Sequence, residues 1–155
     1  QVAAAPSAPD SEIAKPESKR SLSGMRLLLV EDEPDSRELI ELFLSSAGAE
    51  VRAVGSAEEG LEALAEYSPD VLVSDIGMAG FDGYWLIQQV RKSRPLLPAL
   101  ALTAFTRRED VARARSAGFN EHVAKPVDPE ALVRTIASLR PTESLAPIAS
   151  ASRSS

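Results

Sequence analysis

Five short apolar runs, each followed by an amphipathic stretch, constrain the fold of this chain more than any other feature. They read RLLLV (26–30), EVRAV (50–54), DVLVS (70–74), ALALT (99–103) and EHVA (121–124). Runs this short have the length of strands and stop well before the length of a helix. The stretches between them keep a helical period instead. Pro34 suits a first helical turn, apolar residues recur at Leu39, Ile40, Phe43 and Leu44, and Gly48 closes the element. Ser56 opens AEEGLEALAEY, with Glu59 placed for a capping box. Asp82 stands as an N-cap ahead of GYWLIQQV, and residues 107–118 and 128–139 supply the last two helices. Strict βα alternation with short connections implies an α/β fold, a doubly wound five-stranded parallel sheet covered by helices on both faces. Right-handed crossovers leave few strand orders open.

The flanks lack this rhythm. Residues 1–23 and 141–155 are rich in Ala, Pro and Ser, and are expected to form a flexible leader and tail around one folded domain at 24–140. The start at Gln1 and the linker-like leader suggest a fragment of a longer protein. Hydrophobic residues at 44% and charged residues at 26% give the balance of a soluble globular domain. No apolar run reaches the roughly 18 residues of a membrane span. The absence of cysteine removes disulfides, thiolate catalysis and cysteine-ligated zinc, and the single histidine, His122, excludes a histidine-rich metal site. A net charge of −6 disfavours a phosphate-backbone partner. A cytoplasmic protein with no nucleic-acid and no membrane contact is the expectation.

Chemistry gathers where the strands end. In open sheets of this kind the site lies beyond the carboxyl ends of the strands. The first strand runs into Glu31 and Asp32, the third into Asp75, the fourth ends in Thr103, and the fifth runs into Lys125. If the first and third strands are neighbours, about 4.8 Å apart, three carboxylates share one small space. Like charges that close require a proton or a cation. With only oxygen ligands at hand the suitable ion is hard, and magnesium fits best. A carboxylate beside such an ion, a lysine and a hydroxyl makes a phosphoryl-transfer site, with Asp75 as the nucleophile. Each residue alone has a plainer reading: a turn acid, a strand threonine, a surface lysine. Their common register at successive strand ends is what gives them weight.

LLLVEDEPD, VLVSDIGMAGFDGY, LTAF and AKP, in this order and spacing, resemble the receiver domain of bacterial two-component response regulators over roughly residues 24–140. The resemblance implies a flavodoxin-like sheet with strand order 2-1-3-4-5. It implies that Glu31 and Asp32 are the acidic metal pair and Asp75 the phosphoacceptor. Gly77 matches the position whose backbone carbonyl ligates the metal. Thr103 matches the switch hydroxyl, and Lys125 the phosphate-contacting lysine. The implied cofactor is Mg2+. The implied partners are a histidine kinase or histidine phosphotransfer domain as donor, and a downstream protein that reads the face formed by the fourth helix, fifth strand and fifth helix. The domain would catalyse its own magnesium-dependent phosphorylation and dephosphorylation.

This chain departs from the common pattern at three places. Glu31 stands where many receivers have Asp, Ala79 replaces a frequent proline, and His122 takes the place of an aromatic switch residue. Gly77 and Phe105, two residues after the acceptor and two after the switch hydroxyl, occupy positions that tune dephosphorylation. Placement in a hybrid histidine kinase is the favoured context, with a stand-alone regulator as the alternative. A phosphatase of the haloacid-dehalogenase type needs an acid where Gly77 stands. A pseudo-receiver that works without phosphorylation typically lacks one of the charged groups present here.

Overall fold

A computed structural model describes residues 21–104 and 108–139. The expected tail at 141–155, residues 1–20 of the expected leader, and Phe105 lie outside the described residues. Five strands and five helices alternate: β1 Arg26–Val30, α1 Pro34–Ser46, β2 Glu50–Val54, α2 Ala57–Glu66, β3 Val71–Asp75, α3 Gly83–Ser93, β4 Ala99–Thr103, α4 Arg108–Ala117, β5 Glu121–Ala124 and α5 Pro129–Ser138. The strands form one parallel sheet in the order β2-β1-β3-β4-β5, which is the expected 2-1-3-4-5.

Alternation along each central strand divides the core in two. Leu28 and Val30 of β1, Leu72 of β3, and Ala99 and Ala101 of β4 pack with Ala63 and Leu64 of α2, Leu86, Ile87 and Val90 of α3, and Ala114 of α4. Their neighbours Leu27, Leu29, Val71, Val73, Leu100 and Leu102 face the other way, toward Ile40 and Leu44 of α1 and Leu132 and Ile136 of α5. Strands buried on both faces read as unbroken apolar runs, which is why β1, β3 and β4 carry so few polar residues. Burying each leucine, isoleucine or valine among them contributes about 1.5–3 kcal/mol. α4 is the exception among the helices, because Ala114 is its one fully buried residue among those described.

Local chemistry sets the element ends. Asp82 caps α3 by accepting from Trp85 N, and Asp128 caps α5 by accepting from Ala131 N. At α2, Ser56 Oγ accepts from Glu59 N as expected, but the Glu59 carboxylate reaches one residue further back, to Gly55 N at 2.8 Å. β3 runs one residue later than expected and takes in Asp75, while Asp70 turns its carboxylate to Arg26 N. Leu39 is exposed rather than inward, since Ile40 and Leu44 already fill the side of α1 that meets the sheet.

The folded unit also starts earlier than the expected boundary at residue 24. Leu22 is fully buried in the core beneath α1 and α5, and its N–H donates to Ala47 O at 3.0 Å. One leucine in a polar leader shows no periodicity, so its sequence context hides it. Among the described residues, no helix is long and apolar enough to cross a membrane.

Candidate functional site

The sheet order brings the charged strand ends together. Val30 of β1 pairs with Ser74 of β3, so Glu31 and Asp75 follow on neighbouring strands. Asp75 pairs with Leu102 of β4, and Thr103 pairs with Ala124 of β5, one residue before Lys125. Lys125 N donates to Thr103 O at 2.8 Å, which anchors the start of the loop after β5 against the end of β4. Glu31 is fully buried, and Asp75 and Thr103 are only 5% and 6% exposed. Asp32 is half-buried at the mouth. Oxygen atoms of Glu31, Asp32 and Asp75 all lie within 4.8 Å of one another.

Backbone and lysine contacts hold this crowd in place. Lys125 Nζ lies 2.9 Å from Glu31 Oε1 and 3.3 Å from Asp75 Oδ2. The other Glu31 oxygen accepts from Glu33 N at 3.1 Å. Asp32 Oδ2 accepts from Ala79 N at 3.1 Å, and Asp75 Oδ1 accepts from Gly77 N at 3.2 Å. Each acid is thus oriented by an amide from a loop it must face.

Charge states follow from this packing. Burial pushes the Glu31 carboxyl above its ordinary value, and the Asp75 charge pushes the same way against the opposing hydrogen bond from Lys125. Lys125 also loses hydration by burial, which alone would favour its neutral form, but the bond to Glu31 and the charges of Asp75 and Glu31 outweigh it and hold the ammonium above its ordinary value. The two directions are compatible. Lys125 gains from the carboxylates around it, whereas for Glu31 burial and the Asp75 charge outweigh what Lys125 returns.

Among the described residues, three carboxylates converge on the Lys125 ammonium in a largely buried space. An all-oxygen donor set of that charge suits a hard divalent ion such as Mg2+. The residues present therefore fit the expected cofactor, with Glu31, Asp32 and Asp75 as its side-chain donors.

The remaining expected residues are placed as follows. Gly77 lies in the loop after β3, exposed, with open space where a side chain would project. Gly83, not among the expected residues, starts α3 and packs against the backbone of Asp75 and Ile76; a Cβ there would lie 2.5 Å from Asp75 O. His122 pairs with Ala101 in the sheet and so shares the face covered by α3 and α4. Its Nδ1 is buried and has no hydrogen-bond partner among the described residues.

One neighbour of the pocket escaped the sequence reading. Arg37 Nη1 donates to Glu31 O at 3.0 Å. A basic residue in a first helical turn runs against the helix dipole, and that conflict was the available signal.

Residues 27–137 match the response regulator receiver domain family. An uncharacterized 14.6 kDa protein from Leptolyngbya boryana is 42% identical over 119 residues, covering 76% of this chain and 91% of that protein. The DNA-binding transcriptional regulator NtrC of Escherichia coli is 36% identical over 100 residues, and sensor histidine kinase RcsC of Salmonella typhi is 32% identical over 113. The matches cover 64% and 73% of this chain, but it spans only 21% of NtrC and 12% of RcsC. Among solved structures, a putative response regulator from Chloroflexus aurantiacus superposes with a TM-score of 0.71 at 37% identity, covering 74% of this chain and 96% of that one.

Proposed function

Because the chain belongs to the response regulator receiver domain family, and so to two-component signalling, we propose that it is a working phosphoacceptor whose acceptor is Asp75. The observation that carries this reading is the setting of Asp75: nearly buried, 3.3 Å from the Lys125 ammonium, with two further carboxylates converging on it.

In this reading a phosphohistidine of a histidine kinase or histidine phosphotransfer domain is the donor. An Asp75 carboxylate oxygen attacks phosphorus, the P–N bond breaks, and the imidazole leaves with the electron pair. Mg2+, when bound by Glu31, Asp32, Asp75 and the Gly77 carbonyl, neutralises phosphoryl charge. Lys125 exchanges its contact with Glu31 for the incoming phosphoryl oxygens. The Thr103 hydroxyl donates to one of those oxygens, and His122, on the adjacent strand, packs according to where Thr103 moves. A partner then reads the α4-β5-α5 face. The exposed leucines Leu39 and Leu42 on α1 offer a donor helix an apolar surface.

The likeness to a sensor histidine kinase supports placing this receiver in a hybrid kinase. The small Leptolyngbya protein, spanned almost end to end, supports a stand-alone regulator. The full-length gene distinguishes them. Either context places the domain in the cytoplasm, where ATP charges the donor.

The test is incubation with acetyl phosphate and Mg2+, read by intact-protein mass spectrometry. One phosphoryl group should add, and Asp75→Asn or chelation of the metal should prevent it. A protein that takes no phosphoryl group under these conditions is a phosphorylation-independent receiver instead.

A further inference from the structure

Arg37 occupies a position with a cost. It is the fourth residue of α1, in the first turn, where the helix dipole disfavours positive charge. Its backbone N–H makes an ordinary helical bond to Glu33 O. Its side chain turns back to the end of β1, where Nη1 donates to the carbonyl of Glu31 at 3.0 Å.

That carbonyl sits where the sheet stops. The paired register of β1 ends at Val30, and Glu31 keeps one more sheet-like contact, its N–H donating to Val54 O at 3.1 Å. Without Arg37 the carbonyl of a fully buried residue would lose this partner. The guanidinium lies against Gly55 of the loop after β2, where a Cβ would come within 2.9 Å of Nη1. Arg37 therefore ties α1 to the end of β1, alongside the loop after β2, at the residue from which Glu31 and Asp32 enter the pocket.

We infer that Arg37 is a positioning residue for the acidic pocket, acting through the Glu31 carbonyl to hold the Glu31–Asp32 pair in the orientation that takes a divalent cation. The inference rests on the reading of that pocket as a cation site. It reaches beyond the ligands to the contact that orients them, the kind of outer contact whose loss typically lowers metal affinity by about 10–100-fold.

Electrostatics supplies the discriminating sign. As a mere neighbouring charge, Arg37 would repel a cation, and its removal would tighten binding. As a positioning residue, its removal weakens binding. The two accounts predict opposite directions for one measurement.

The experiment is a titration of the full chain with Mn2+, following the free-ion signal by electron paramagnetic resonance and displacing it with Mg2+. R37M keeps the aliphatic stem and removes charge and donors; it should bind about tenfold more weakly than the unaltered protein. G55A keeps the arginine and crowds its guanidinium, and should weaken binding by a smaller factor. Combined with R37M it should add nothing, because both act through one contact. G55A also serves if R37M does not fold. Binding by the unaltered protein together with unchanged or tighter binding by R37M, or by G55A where R37M fails to fold, overturns this inference alone. Failure of the unaltered protein to bind either ion overturns it together with the cation-site reading beneath it.

Discussion

Lys125 and Glu31, 94 residues apart in the chain, meet with 2.9 Å between Nζ and Oε1. The contact spans the acidic pocket from β5 to β1, and the same ammonium reaches Asp75. An unphosphorylated receiver built this way keeps its lysine engaged by two acids at once. Its charge balance shows in how stability responds to pH.

Glu31 is raised from its ordinary value of 4.5, first because it is buried. Between 4.5 and the raised value the folded protein holds a proton that the unfolded chain has released. The stability contributed by this group is therefore full below 4.5 and lost as pH rises through the raised value, with about 1.4 kcal/mol going for each pH step climbed between the two. Lys125 is raised from 10.5, so its contribution is full below 10.5 and lost only above it. Urea denaturation across the acid range should show Glu31→Gln gaining on the unaltered protein as pH climbs above 4.5. Parallel stability curves would remove Glu31 as the cause.

Gly83→Ala should be costly. The added Cβ would meet Asp75 O at 2.5 Å and the Ile76 Cα at 2.7 Å, and backbone atoms cannot rotate away. Overpacking of this kind costs about 1–3 kcal/mol, measurable as a shifted denaturation midpoint. Because the strain falls on Asp75 itself, acetyl phosphate labelling should slow as well. A variant as stable as its parent would mean that α3 slides freely against the strand end.

Gly77→Asn should shorten the phosphoryl lifetime. The position is exposed, and a Cβ there would meet nothing within 4 Å. A polar group able to hold a water in line with phosphorus is worth on the order of tenfold or more in rate. Phosphate release after removal of donor, at fixed Mg2+ and pH, should be faster in the variant. Equal decay would show that water placement does not limit the lifetime.

The order of elements and the convergence of the acids were legible because both follow from rules of short range. Runs such as RLLLV and ALALT declare a strand buried on both sides, and an acid directly after one must emerge at the rim. Contacts between distant loops were not legible. Nothing near Lys125 says that it will grip Glu31 as well as Asp75, and nothing near Asp32 says that Ala79 N will orient it. Leu22 was missed for a related reason, since one buried leucine has no period to betray it. The Glu59 side chain passed Ser56 for Gly55 because a capping box specifies the residues and leaves the free amide open to choice.

The seat of α4 has a mechanical consequence. β4, between β3 and β5 in the sheet, turns alanines, Ala99 and Ala101, toward the helices, and α4 fully buries only Ala114, with Ala117 partly buried against the same layer. Methyl groups make low ridges. A helix resting on them has no knob to lift out of a hole and little apolar area to re-expose when it shifts, so its landscape is shallow where those of α3 and α5 are steep. Such an element has little intrinsic preference for one resting place over another. If phosphorylation draws the Thr103 hydroxyl inward, as proposed, even a small displacement there meets little resistance from α4.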